Sequence, residues 1–235
     1  MSNSMSRVKS LLYKEMIDLR RNMSILIMCL VPIGNAFMFK VMGIESEMSV
    51  ILSTTMNMTV AMVGTILMAT LIAEEKENNT LRTLMMSGLT SHEFMIGKAF
   101  VSFTLVNILN TIIFFILGTS MKLFIIYTLI GLIMSIIMIL LGALIGLLVK
   151  TQQQVGVVAS PIVILLFMLP IISRFNEVIS KIAKLFPTYH SGRIMYDMDL
   201  GNGIINNFGN IGVLILWIIL VGIAFTKVYR FKRFD

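Results

Sequence analysis

Six long stretches without one charged residue dictate most of what this chain can fold into: Asn22–Phe39, Met48–Ala73, Ala99–Met121, Leu123–Val149, Thr151–Ser173 and Leu200–Thr226. A hydrocarbon core about 30 Å thick is crossed by about 20 apolar helical residues. Each stretch supplies that length in Ile, Leu, Val, Met and Phe, with Gly and Ser interspersed. Strands of a membrane barrel would alternate apolar and polar over about 10 residues, and these runs do not alternate. The reading is an all-α integral membrane protein with six transmembrane helices, predicted over residues 24–43, 50–73, 99–119, 123–149, 155–173 and 208–226. The first span continues past Lys40, whose long stem can snorkel to the surface. The last begins late, because Gly201-Asn202-Gly203 and Asn206-Asn207 are too polar for hydrocarbon. With 57% hydrophobic and 13% charged residues, a water-facing globule and a disordered chain are both excluded. One membrane domain over residues 1–235 is expected, with no soluble second domain. No cleavable leader is expected either, since Gly34-Asn35-Ala36 makes a poor cleavage site.

Charge sets the orientation. An even number of spans places both termini on one side, and the positive-inside bias chooses it. With cytoplasmic termini, the inner segments hold 13 basic residues (Arg7, Lys9, Lys14, Arg20, Arg21, Lys76, Arg82, Lys98, Lys150, Lys227, Arg230, Lys232 and Arg233). The outer segments hold 6: Lys40, Lys122, Arg174, Lys181, Lys184 and Arg193. The expectation is a multi-pass protein of the cell membrane with both termini in the cytoplasm. The net charge of +7, in so apolar a chain, points to anionic lipid headgroups as partners and not to nucleic acid.

Three polar segments carry the remaining information. In residues 5–21, Val8, Leu12, Met16 and Leu19 recur at helical spacing among Arg7, Lys9, Lys14, Arg20 and Arg21. This pattern suits an interfacial amphipathic helix on the inner leaflet, with an ordinary basic flank before the first span as the alternative. Residues 74–98 open with Glu74, Glu75 and Glu77, break at Asn78-Asn79, and resume as a short predicted helix from Thr80, its cap, to Met86. A turn at Ser87-Gly88 follows, Ser91 is placed to cap a second helix, and Lys98 closes the loop at the bilayer. The apolar Leu81/Leu84/Met85 face beside that acidic start suits a docking surface, which a merely solvated loop would not need. In residues 174–207, Phe175, Val178, Ile179, Ile182, Ala183 and Phe186 repeat at 3–4 spacing, a predicted amphipathic or re-entrant segment that Pro187 ends. Tyr189 and Tyr196 suit an interfacial aromatic role.

Chemistry is sparse. No G-x-x-x-x-G-K-[ST] occurs, since Gly97-Lys98-Ala99 lacks the upstream glycine and the hydroxyl residue. His92 and His190 fall on opposite membrane sides in this topology and cannot share a metal. The single Cys29 lies in an apolar run and reads as packing. No catalytic, cofactor-binding or metal-binding residue is expected. A faint echo of intramembrane proteases, Glu74-Glu75 with Phe186-Pro-Thr-Tyr-His190, fails because Asn79 occupies the arginine position and the halves lie on opposite sides. No charge sits in mid-span, against the usual signature of ion-coupled transport.

The order of these parts resembles the ABC type-2 permease family, the membrane subunits of ATP-driven exporters. The family's Lys-Glu and following basic residues are matched by Lys14-Glu15 and Arg20-Arg21. Its loop pattern is matched by Glu74-Glu75-Lys76-Glu77, Asn79-Thr80-Leu81-Arg82, Leu84, the Ser87-Gly88 turn and Gly97-Lys98, although Asn79 replaces a glycine and Arg82 an acid. A Pro-x-Tyr before the last span appears as Pro187-Thr188-Tyr189, followed by Arg193. The resemblance implies a transport subunit that is not itself an enzyme. It implies a cytoplasmic coupling helix between spans 2 and 3, and an ABC ATPase partner that carries ATP and Mg. It also implies pairing with a second copy or a paralogue to enclose the path. Amphipathic peptide, of the phenol-soluble modulin or bacteriocin type, is the cargo this resemblance favours; drugs, lipids or sodium are the other cargoes. A membrane-bound immunity or accessory protein that transports nothing is the alternative function.

The orientation has a direct test. In a Cys29→Ser background, single cysteines at Ser120 and Asn202 should be labelled by an impermeant maleimide from outside, and one at Gln153 only after permeabilisation. Labelling of position 153 in intact cells would invert the scheme.

Overall fold

The computed structural model describes residues 2–43, 48–80, 86, 90–201 and 204–231. Helices and turns make up these residues, with no strand among them. Backbone groups in hydrocarbon have no water to pair with, so each apolar run closes its hydrogen bonds within itself as a helix. Helix α1 (Ser2–Arg21) precedes the first span, α2 (Met23–Val41). Then come α3 (Met48–Glu77), α4 (Ser91–Leu117) and α5 (Phe124–Leu148), the last entered through a 3₁₀ turn at Met121–Leu123. Helix α6 (Gln152–Ile172) is followed by two short helices, α7 (Glu177–Ala183) and α8 (Pro187–Asp199), and by the last span, α9 (Phe208–Phe231). Six of these helices, α2 to α6 and α9, are long and apolar enough to cross a membrane. The all-α, six-span architecture expected from the charge-free runs is the one found.

Local chemistry explains the boundaries. Asn22 accepts from the Ile25 amide to start α2. Thr90 and Glu93 form a reciprocal capping box at the head of α4, so Thr90, not Ser91, is the cap: the glutamate three residues on is what the motif requires. Gly118, in the left-handed conformation (φ 68), ends α4. Two expectations are corrected at the end of α3. Glu74, Glu75 and Glu77 are the last turns of that helix and not the start of a loop. Gly97 and Lys98 likewise lie inside α4. Leu81, Arg82, Leu84, Met85 and the expected Ser87-Gly88 turn lie outside the described residues. Helix α8 was not expected at all; Pro187 ends nothing there but occupies the first turn of a new helix, where its missing N–H costs least.

Helix α3 is the hub. It is buried along 78% of its apolar window, against 28% for α2, 22% for α6 and 11% for α9. Met56, Val60, Val63 and Leu67 of α3 meet Ile137 and Met138 of α5 and Val106 of α4 in the main core. Mid-helix, Val60–Thr65 widens into a π turn, and the Thr65 hydroxyl donates to the Met138 carbonyl of α5 at 3.2 Å. Glycine makes this approach possible. A Cβ on Gly146 would lie 2.9 Å from Ile72 Cβ and 3.0 Å from the Ala69 carbonyl, and one on Gly142 would meet the Thr65 carbonyl. Gly34 and Gly156, in the first and fifth spans, have nothing within 4 Å. Two span threonines are satisfied locally: Thr55 and Thr59 donate to the carbonyls four residues back, each at 2.8 Å.

Alternation of the six spans gathers α1, the close of α3, the start of α4, the α5–α6 connection and the end of α9 at one end of the bundle, here the termini end. The α4–α5 turn and the α7–α8 segment lie at the far end. Contacts agree, since Leu11 of α1, Phe94 of α4 and Phe225 and Tyr229 of α9 share one apolar cluster. Gly146→Leu should lower stability by about 1–3 kcal/mol through overpacking, whereas Gly156→Ala should stay within about 0.5 kcal/mol of the parent. Melting of the detergent-solubilised protein would separate the two; equal effects would show that the α3–α5 contact is not close.

Candidate functional site

At the termini end the last turns of α3 present three consecutive ionisable residues, and each reaches a different neighbour. Glu75 points toward α4 and α1. Its Oε1 accepts from Lys98 Nζ at 3.2 Å and from Lys14 Nζ at 2.5 Å, and its Oε2 accepts from the Thr80 hydroxyl. Lys98 also donates to Glu15 Oε1 at 2.8 Å. The Lys98, Glu15 and Glu75 side chains are only 1%, 2% and 3% exposed, while Lys14 is 43% exposed. The dry centre therefore sets the Lys98 ammonium against two carboxylates, and the solvated Lys14 arm, which also pairs with Asp18 at 3.8 Å, supplies the second cation.

Lys76 turns to α5. Its ammonium donates to the carbonyls of Gly146 at 3.1 Å and Leu147 at 3.0 Å, and to that of Val149. These are carbonyls at a helix C-terminus, where hydrogen-bond partners run out and the helix dipole favours a cation. Glu77 turns to α6, and its Oε2 accepts from the Gln152 amide at 2.9 Å, at the dipole's other pole. One turn of α3 thus fastens α1, α4, α5 and α6 together. Gly97 contributes by its lack of a side chain: a Cβ there would lie 2.5 Å from Leu11 Cδ2, so α1 settles directly on α4. The Phe94 ring, one turn before Lys98, has its centroid 5.0 Å from that ammonium, within cation–π range.

Partial burial alone would push the Lys14 ammonium down. The hydrogen bond and charge of Glu75, with Glu15 and Asp18 beside it, outweigh burial and hold it above the ordinary lysine range. A raised ammonium contributes fully below its ordinary range and loses that contribution only as pH rises through the raised value. This arm of the cluster is therefore insensitive to pH near neutrality.

Of the residues singled out in the sequence, the structure brings together Lys14, Glu15, Glu75, Thr80, Gly97 and Lys98. Glu74 is half-buried beside them. Arg20 is exposed, and the side chain of Arg21 lies outside the described residues. The Glu75 carboxylate is an internal ion-pair partner, because two lysines distant in sequence converge on it.

Pro187, Tyr189 and Arg193 belong to α8 at the far end. Pro187 is buried, Tyr189 meets the His190 ring edge-on at 5.4 Å, and Arg193 pairs with Asp197 at 3.4 Å above the Tyr196 ring. Sequence reasoning missed the contacts that hold α8. Asn57 of α3 donates to the Thr188 carbonyl at 3.1 Å, and the Ser191 hydroxyl lies 2.8 Å from Asn57 Oδ1. His190 Nε2 lies 2.8 Å from the Lys184 carbonyl oxygen, and its Nδ1 lies 2.8 Å from Asn210 Oδ1. Asparagine inside an apolar run was the available signal for Asn57.

A bundle of six membrane-length helices, with the N-terminal helix ionically locked to the second and third of them, is a multi-pass membrane fold. Residues 45–227 match the family model described as ABC-2 family transporter protein, and the chain belongs to that family. It is the membrane component of an ABC transporter, and membership implies pairing with an ABC ATPase subunit. Helices α1 and α2 precede the matched residues. No curated protein matches the sequence closely enough to serve as a relative.

Lys98→Met should destabilise the protein by about 3–5 kcal/mol, because it leaves two buried carboxylates facing each other. The triple variant Glu15→Gln/Lys98→Met/Glu75→Gln should recover most of the loss, having no buried charge to compensate. If Lys98→Met melts like the parent in detergent, the cluster is open to water and the account fails.

Proposed function

We propose that the chain, paired with a second copy or a paralogue, forms the translocation path of an ATP-driven exporter of amphipathic peptides. Its termini face the cytoplasm, ATP and Mg belong to the partner ATPase, and the chain itself catalyses nothing. Residues 74–98 and α1 receive the ATPase. The observation that carries this reading is the fastening of α1, α4, α5 and α6 to the last turn of α3, beside the segment that leads into residues 80–90. A push delivered to that segment meets four spans and α1 as one block and does not dissipate in a loop. Coupling of this kind drives movement only if the ATPase contacts the segment differently in its two states.

Pairing is supported by where the apolar surface lies. Helices α2, α6 and α9 keep most of their faces uncovered, and Gly34 and Gly156 open onto empty space where another helix could approach closely. The basic asymmetry of the sequence supports the orientation, and the peptide cargo rests on the resemblance and on span methionines such as Met56, Met58, Met62 and Met68.

The test is co-purification with the candidate ATPase, followed by its hydrolysis rate with and without amphipathic peptides in proteoliposomes. Leu81→Asp/Leu84→Asp should abolish co-purification, since charge would be placed in the apolar centre of the contact. The Glu15→Gln/Lys98→Met/Glu75→Gln variant should still bind the ATPase but lose the peptide-dependent rise in hydrolysis. Normal export by the Leu81/Leu84 variant would sink the proposed coupling route.

A further inference from the structure

At the far end, a shallow cavity of about 360 Å³ opens between the close of α6 and helix α7, walled by Arg174, Glu177, Lys181 and Lys184 with Ser173 and Asn176. Three cations face one carboxylate, so the hollow is net positive. Beside it runs an exposed apolar row: Phe175 is 84% exposed, Leu185 68%, Val178 66% and Ile182 47%. The two rows follow from helical spacing. Residues 178, 182 and 185 share one face, and 177, 181 and 184 occupy the adjoining strip, one position round the helix.

The segment is held at a fixed height. Asn176 caps α7 by accepting from the Val178 and Ile179 amides at 2.9 and 3.2 Å. Trp217 Nε1 of α9 donates to the Leu185 carbonyl at 2.8 Å, and its ring stacks on Phe186 at 6.0 Å. His190 holds the Lys184 carbonyl from α8. Ser173 and Arg174 follow directly on the 21-residue α6, whose rise of about 30 Å matches the hydrocarbon core, so the hollow sits where phosphates lie while the apolar row beside it meets acyl chains.

We propose that this hollow binds the phosphodiester of an anionic phospholipid in the leaflet opposite the termini, with the acyl chains along Phe175, Val178, Ile182 and Leu185. Charge complementarity selects the occupant. A soluble phosphate ester would meet the same cations but leave the apolar row uncovered, and a zwitterionic lipid brings its own cation into a hollow that already holds three. The site depends on the chain being embedded in a bilayer and not on what the transporter carries.

Trp217 is the chain's single tryptophan and touches the segment directly, which supplies the readout. The full chain is reconstituted in phosphatidylcholine vesicles in which a minor fraction of one lipid, phosphatidylglycerol or phosphatidylcholine, carries brominated acyl chains. Brominated phosphatidylglycerol should quench Trp217 more than brominated phosphatidylcholine at the same fraction. That preference should fall about fivefold for each of Lys181→Gln and Lys184→Gln, and persist in Lys122→Gln, which removes an exposed far-end cation away from the hollow. Added glycerol phosphate should leave it unchanged. Equal quenching by the two lipids, or a preference that survives the double lysine variant, would overturn the site. Loss of the preference on adding glycerol phosphate would overturn the choice of a lipid.

Discussion

An ammonium group with 1% of its side chain exposed cannot exist in a membrane protein without partners in place, and Lys98 is that group. Removing an isolated ion from water costs several kcal/mol even after relaxation, so α4 can settle only where Glu15 of α1 and Glu75 of α3 meet it together. Apolar burial is indifferent to small rotations and slides of one helix on another; the ionic cluster is not. Its contribution is register more than net stability, since a buried ion pair and a well-packed apolar one are often close in free energy. Gly97 completes the constraint by letting α1 descend until Glu15 reaches the ammonium.

The consequences run along α3. The same helix ends in Glu75, Lys76 and Glu77 at the termini end and carries Asn57, which grips α8, toward the far end. Eighteen residues separate Asn57 from Glu75, about 27 Å at the α-helical rise. Between them lie the π turn and the two close glycine contacts with α5. A helix buried along most of its length, pinned at both ends and seated on glycine between, has little freedom to bend privately. Displacement at one end is passed to α5 and α8 and not absorbed.

How much of this was legible in the sequence follows from the range of each interaction. The six spans depend only on local composition, and they stand where the charge-free runs lie. Helix ends were misread wherever a charged residue was taken for the edge of the bilayer. Glu75, Lys76, Glu77 and Lys98 are tied to partners 23 to 83 residues away in sequence, and no periodicity reports such a partner. The family motifs singled out Lys14-Glu15, Glu75 and Gly97-Lys98 without revealing that Lys14, Glu15, Glu75 and Lys98 meet in one cluster. Helix α8 escaped notice because Pro187 reads as a terminator until its place at the first turn is known, and because His190 is held by Lys184 and Asn210 on two other segments.

The same packing bears on where a path could run. Between α3 and α5 the backbones approach so closely at Gly142 and Gly146 that even a methyl group would collide, and the space toward α4 is filled by Val63, Val106 and Met138. A cargo-sized channel through this bundle would require taking apart its most buried helix. The weakly covered faces of α2, α6 and α9 impose no such cost, because what they lose on moving is contact with lipid or with another chain. Rearrangement within this chain therefore costs least at α2, α6 and α9, and most at α3 with its charged terminus.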